Sequence, residues 1–545
     1  MQDISRERKL RTVNLSRVEQ QLALGIFVLL VASLFYNLGL APLKHEEPRR
    51  ALIALEMLFR DKWIVPTEFG EYYYKKPPLY NWVIIAGFKI FGNYSELAVR
   101  FLSIISFIGI GLLVFWFGQK YVSRTFGILA GLLTLCMVDI LYYFSTTAGE
   151  IDLFYSLVTL ASFFTIYYFY QKQLFYGLFV VTYLLGAIGT LTKGLPSVVF
   201  LGISLGIFFL YKGEIKKLFS LPHLSGIAVY LLIVGGYFYM YSQNNSLEGF
   251  YASDESLWSQ ASERTVLENG ITKFIKHFFS FPFITLKNIA PASLFLIFLS
   301  KDGVRRCREN PFITFCLLML LANILVYWIS PGTRSRYLYM LYPLAVVVFT
   351  FVYTSYPAEE DNRHRWLGYT VTVLTLLALV ASLLLPFIPA LSKLDGIQIA
   401  SILAATAFSV LLWLSVKRKY NAALLLILLA VIIRFIFGAT VLPLRATQSS
   451  EAQDKVDAAR IVELVGDEPL YMYTGQNISR TTVFYLEAAR EKVLRFRDEL
   501  DTQSFYLVNK ALLKGKKYQL YHTLIYDKQE FGLIKLTQLE SDQAR

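Results

Sequence analysis

Charge is scarce in this chain. Only 17% of its 545 residues are Asp, Glu, Lys or Arg, while 55% are hydrophobic and 16% aromatic. Soluble domains carry about a quarter of their residues as charged groups, so this balance excludes a soluble protein. Cysteine is nearly missing. Cys136 and Cys316 lie inside apolar runs and Cys307 in a basic loop, which excludes a disulfide framework and a thiolate metal site. No internal repeat and no low-complexity linker is visible. The first apolar run lacks a small-residue cleavage site and follows Arg6, Arg8, Lys9 and Arg11, so it reads as a retained span. The net charge is +13, but the basic residues sit in loops between apolar runs. That is the positive-inside pattern, and nucleic acid is not an expected partner.

A helical span takes about 20 apolar residues. Runs of that kind lie near 21–41, 97–118, 125–144, 152–170, 175–191, 195–212, 223–242, 286–300, 311–329, 336–354, 368–388, 396–416 and 421–440. The run at 79–93 contains Asn81 and Lys89 and reads as an interfacial helix. Thirteen crossings are therefore expected, with fourteen as the competing count. With the N-terminus in the cytoplasm, Lys120–Arg124, Lys212–Lys217, Lys301–Arg308 and Lys417–Lys419 all fall inside. Residues 42–96, 145–151, 243–285, 330–335 and everything after 441 then fall outside. The chain thus divides into a transmembrane domain, 1–440, and a small soluble α/β domain, 441–545, on the outer side. In the latter, 454–465 and 478–490 read as helices, and 470–473 and 506–508 as strands.

The first outer loop carries the unusual polar residues. It opens His45-Glu46-Glu47-Pro48-Arg49-Arg50. Proline suits the first turn of a helix, and negative charge is favoured there. Leu52, Leu55 and Phe59 recur at helical spacing, which predicts an amphipathic helix on the membrane surface. Two readings stand for the glutamates: complements of the helix dipole, or a general base or substrate ligand just outside the membrane. Further on, Tyr72-Tyr73-Tyr74-Lys75-Lys76-Pro77-Pro78 is either an interfacial aromatic belt with lipid-facing lysines or a phosphate clamp.

Several short motifs follow one another: Glu46-Glu47-Pro48-Arg49-Arg50-Ala51, Trp63-Ile64-Val65-Pro66, Lys76-Pro77-Pro78-Leu79 and Ala98-Val99-Arg100. This run resembles the first outer loop of the bacterial 4-amino-4-deoxy-L-arabinose transferases and the wider protein O-mannosyltransferase-like family. Leu191-Thr192-Lys193-Gly194 and Ser330-Pro331-Gly332-Thr333-Arg334-Ser335-Arg336-Tyr337 resemble later segments of the same family. The resemblance is dense over about 40–105 and patchy to about 350. It implies a GT-C-type bundle and a glycosyltransferase that takes its sugar from a polyprenyl-phosphate carrier.

Residue roles follow from that resemblance. Glu46 stands at the family's catalytic aspartate, with Glu47 beside it and Asp152 as a second acid. Arg49, Lys76, Lys193, Arg264 and Arg334 become candidates for the donor phosphate. In the aminoarabinose enzymes an acid before Lys-Pro-Pro belongs to a proposed metal site with a later aspartate and a histidine. Asp152 and His277 are the counterparts of those two, but Lys75 replaces the acid, and a lysine repels a divalent cation. No cofactor is assigned.

The expected reaction is a single inverting displacement at the outer face of a bacterial inner membrane. The acceptor would be lipid A, another lipopolysaccharide component or a glycan, with a protein acceptor as the alternative within the family. A lipid or sugar transporter would show internal repeats and mid-membrane charges, and neither is visible. A scaffold presenting the C-terminal domain is the third class.

Overall fold

Serine and asparagine caps set where five of the apolar runs begin as helices. The computed structural model describes residues 13–143, 145–252, 270–357, 361–474, 476, 478–513 and 516–538. Helix α1 (Arg17–Phe35) opens with a capping box in which Ser16 and Glu19 satisfy each other's backbone N–H groups. Helix α2 (Glu47–Phe59) carries the first-loop motif. A short hairpin, β1 (Thr67–Glu68) and β2 (Glu71–Tyr72), leads to α3 (Leu79–Phe91). Ser95 caps α4 (Glu96–Tyr121) and Ser123 caps α5 (Arg124–Thr134). Then come α6 (Ile151–Gln171), α7 (Phe175–Lys193), α8 (Pro196–Tyr211) and α9 (Leu221–Ser242). Beyond 270 lie α10 (Ile271–Asn288), α11 (Lys301–Glu309), α12 (Pro311–Trp328), α13 (Tyr342–Thr354), α14 (Asn362–Leu384), α15 (Ile397–Lys417) and α16 (Ala422–Gln448).

Thirteen crossings were expected, and the structure corrects that count. Among the described residues ten helices are long and apolar enough to cross a membrane. An eleventh arises only if α10 and the turn Ala292–Phe298, bent by 105° at their junction, form one broken span. The shortfall lies at 195–212, 286–300 and 336–354. An apolar run counts residues and does not register a bend. Helix α8 has 16 residues and α13 has 13. Even the longer of these rises only about 24 Å, against a hydrocarbon core of about 30 Å.

Helix α2 also differs from expectation. It does not lie open on a surface, because Ala51 to Met57 are all buried. One side packs on α3 and α4 through Ala54, Tyr80, Ile84 and Val99. The other is covered by the C-terminal domain. That domain has α17 (Ser450–Val465), β3 (Leu470–Tyr473), α18 (Arg480–Arg490), β4 (Phe496–Arg497), β5 (Phe505–Asn509), β6 (Tyr518–Tyr526) and β7 (Gln529–Leu536). The sheet order is β4-β3-β5-β7-β6, parallel about β3 and antiparallel about β7. Leu52 joins its core, and Phe484 of α18 joins the core of the first loop.

The joint contains two fully buried carboxylates. Glu56 accepts hydrogen bonds from Thr67 Oγ1 at 2.5 Å and Gly70 N at 3.0 Å, and Glu487 accepts one from Leu494 N at 2.8 Å. Each keeps one buried oxygen without a hydrogen bond. Burial pushes Glu56 up to about 7, against the pull of those hydrogen bonds. Burial, then the Glu56 charge, raises Glu487 further. A raised folded-state pKa means the folded state binds more protons. The stability it contributes is complete below the ordinary carboxylate value of 4.5 and is lost as pH rises through about 7. Thermal unfolding of the intact protein should therefore show a falling midpoint between those values. Glu487→Gln should flatten that dependence. An unchanged slope in the variant would rule out the pair as its source.

Candidate active site

The first loop is tied to the bundle through one buried ion pair. Arg100 of α4 donates through Nε and Nη2 to the two oxygens of Glu47, at 2.7 and 2.9 Å. The same guanidinium donates to the carbonyls of Leu38, Ala41 and Pro42. Glu47 also accepts from Gly149 N at 2.7 Å and Lys44 N at 3.2 Å. Residue 149 has to be glycine for this approach, because a Cβ there would lie 2.5 Å from Val99 Cγ1. Both side chains are about 1% exposed or less, so Glu47 has no free face.

Its neighbour Glu46 points elsewhere. It is the N-cap of α2, and its side chain is 36% exposed, against 14% for its partner Arg49 at 2.7 Å. Arg49 also meets Glu68 at 3.3 Å, and Glu68 is paired with Arg480 of α18. Burial pushes the Glu46 carboxyl up, but Arg49, Arg50, Arg336 and Arg480 together hold it below the ordinary carboxylate range. Glu46 is therefore ionised at neutral pH.

A second cluster gathers at the same end of the spans. Asp152, in the first turn of α6, holds Lys193 Nζ at 2.5 Å. That ammonium lies over the rings of Tyr155 and Tyr337, at 4.9 and 4.8 Å. Arg336 pairs with Glu150 at 2.5 Å and lies 3.7 Å from the other oxygen of Asp152. Glu150 keeps its Oε1 buried without a hydrogen bond. Burial pushes its pKa up, and Asp152, Glu47 and Glu46 add to the rise against the pull of Arg336. Arg336 pairs with the 150–152 acids, and its charge also reaches Glu46.

The other sequence candidates sort by place. Lys76 is half-buried on the stretch leading into α3, and Tyr74 beside it packs edge-on against Phe250 at 5.5 Å. Arg334 is exposed, whereas Arg336, two residues on, turns into the cluster. Arg264 lies outside the described residues. His277 donates from Nε2 to the Tyr327 carbonyl at 3.0 Å and packs on Phe281.

The sequence pattern of the family described as dolichyl-phosphate-mannose-protein mannosyltransferase matches residues 75–238. ArnT from Cupriavidus metallidurans, in a crystal structure bound to undecaprenyl phosphate, has the same fold. The TM-score is 0.69 over 94% of this chain and 98% of that one, at 18% identity. The chain thus carries the pattern of that mannosyltransferase family over less than a third of its length and the fold of ArnT over nearly all of it. An uncharacterised protein of Aquifex aeolicus (strain VF5) is 25% identical over 371 residues, 66% of this chain and 70% of its own. Over 78 residues, 14% of each chain, identity reaches 38% with the undecaprenyl phosphate-alpha-4-amino-4-deoxy-L-arabinose arabinosyl transferase of Edwardsiella ictaluri (strain 93-146).

The side chains at the sequence-expected metal positions do not fit a divalent ion. Asp152 has Lys193 on one oxygen and Arg336 near the other. His277 is spent on a carbonyl, and Lys75 stands where an acid would be needed. Sequence reasoning gave no role to Arg100 and left Glu150 and Arg336 out of the principal candidates. The signals were present as Arg100 in Ala98-Val99-Arg100 and as the second arginine of Thr333-Arg334-Ser335-Arg336.

Proposed function

We propose that the chain transfers a sugar from a polyprenyl-phosphate-linked donor to an acceptor at the membrane face where Glu46 lies. The observation that carries this is the joining of Glu150, Asp152, Lys193 and Arg336 through close charge pairs, with Glu46 under the influence of the same Arg336 charge, at one end of the spans. The anomeric carbon–phosphate oxygen bond breaks, an acceptor oxygen forms the new bond, and polyprenyl phosphate leaves with the electron pair. Fixed cations at that oxygen stabilise the charge that develops. Lys193 and Arg336 are the best held, with Arg49, Lys76, Arg264 and Arg334 as further phosphate contacts.

Of the four acids at the site, Glu46 is the one with an exposed face. Its side chain is 36% exposed, against 0% for Glu47 and 3% for both Glu150 and Asp152. Glu46 accepts the proton of a hydroxyl acceptor, or orients an acceptor that is already ionised. Glu47 and Asp152 act by holding cations and backbone in place. A single displacement of this kind inverts the anomeric centre. The basic loops join the opposite ends of the spans, and the positive-inside rule then puts Glu46 and the C-terminal domain outside, in the periplasm of a bacterial inner membrane. Lipid A or another lipopolysaccharide component is the acceptor we favour. A protein acceptor is the second reading, supported by the description of the matching family.

The test is mass spectrometry of lipids, envelope glycans and secreted proteins from cells with and without the chain, together with Glu46→Gln. General base catalysis is worth about 10²–10⁴. A carboxylate held low is a weak base, so a loss near about 10² is expected, with normal expression. No change in mass of any species, or full transfer by the variant, would refute the proposal. Flux of lipid without a new glycosidic bond would indicate a transporter instead.

A further inference from the structure

At the other end of the bundle the caps of α1 and α5 are joined. Leu15 N donates to Thr125 Oγ1 at 3.1 Å, one residue before Ser16 and two after Ser123. Arg17 and Arg124, each the first residue of its helix, are thereby brought to the mouth of one groove. The groove has a volume of about 700 Å³ and runs between α1, α4 and α5. Gln20 and Gln21 continue its polar mouth, and Leu24, Phe27, Leu112 and Phe115 form apolar walls beyond. Both arginines are exposed, and neither is in an ion pair among the described residues. Glu19, two residues from Arg17, is already engaged by the backbone N–H groups of Ser16 and Asn421.

The dimensions identify the occupant. From Arg17 to Phe27 the helix rises about 15 Å, which is half of a hydrocarbon core of about 30 Å. The groove therefore reaches from head-group level to near the midplane and serves one leaflet. An occupant needs an anionic head and an apolar tail. Residues 1–12 satisfy neither condition, since Arg6, Arg8, Lys9 and Arg11 would meet two more arginines. Two guanidinium groups at one mouth suit a phosphate and disfavour a head group that carries its own ammonium.

We infer that this groove binds one anionic glycerophospholipid, its phosphate between Arg17 and Arg124 and one acyl chain along Leu24, Phe27 and Leu112. This site lies at the opposite face from Glu46 and is independent of the transferase reading. The experiment is native mass spectrometry of the purified full chain, titrated with dioleoyl phosphatidylglycerol or dioleoyl phosphatidylcholine. The wild type should retain one phosphatidylglycerol at least about fivefold better than phosphatidylcholine, with the preference shrinking in high salt as screened charges require. Arg17→Gln/Arg124→Gln should abolish the preference. Leu112→Trp narrows the groove, keeps both arginines, and should lose bound lipid of either kind. Equal retention of the two lipids by the wild type would overturn the assignment. So would an undiminished preference in the double variant. Should that variant fail to fold, retained phosphatidylglycerol in Leu112→Trp would overturn the assignment by itself.

Discussion

Glu47→Ala is expected to lower stability by about 3–5 kcal/mol, the range for removing one partner of a buried ion pair. The loss should appear as a lower thermal midpoint and poor yield rather than as a selective loss of transfer. The carboxylate accepts from Arg100, Gly149 N and Lys44 N, and Arg100 in turn caps three carbonyls of the loop that precedes α2. Removing Glu47 leaves a guanidinium at 1% exposure without the carboxylate it is bonded to. Replacing a whole buried pair by apolar residues is often close to neutral. Here the double change Glu47→Leu/Arg100→Met should recover little, because it also strips Leu38, Ala41 and Pro42 of their donor. A single Glu47→Ala protein with wild-type thermal stability would contradict this account. It would return Glu47 to the set of acids able to face the substrate.

Why Glu46 and Glu47 part company could not be read from the sequence. Adjacent residues differ by about 100° around a helix, so one of them had to face away from the other. Which one met α4 depended on Arg100, fifty-three residues later. Arg334 and Arg336 pose the same problem, since a single turn at Ser335–Leu338 decides which arginine enters the cluster. What the sequence did carry was the position of the apolar helices, because hydropathy is local and strong. It did not carry continuity. The 105° bend after α10 and the short α8 and α13 lie inside unbroken apolar runs. The burial of α2 was hidden as well, since its outer face is covered by α18, more than 400 residues away in the chain. The mutual influence of Glu56 and Glu487 has no sequence signal, because each residue alone reads as an ordinary helix-surface glutamate.

The largest effect on transfer should come from Lys193, and its pattern with Asp152 is the informative part. Lys193→Met removes an ammonium fixed 2.5 Å from Asp152 and over two tyrosine rings. Preorganised charge of this kind is worth about 10²–10³ in turnover when one donor is lost. Asp152→Asn leaves Lys193 in place but loosens it, and releases Arg336 from one of its two acids. If Asp152 acts only by holding those cations, each single change should cost about the same. The double Asp152→Asn/Lys193→Met should then be no slower than either, since residues that act as a unit are not additive. Two independent roles would instead multiply the losses. Lys193→Arg should restore part of the rate, because it keeps the charge while changing its shape. Initial transfer rates of the wild type and the four variants at saturating donor, beside their thermal midpoints, decide the matter. Multiplied losses would make Asp152 a direct participant in the reaction. A wild-type rate for Lys193→Met would move the leaving phosphate away from this cluster, towards Lys76 and the first loop.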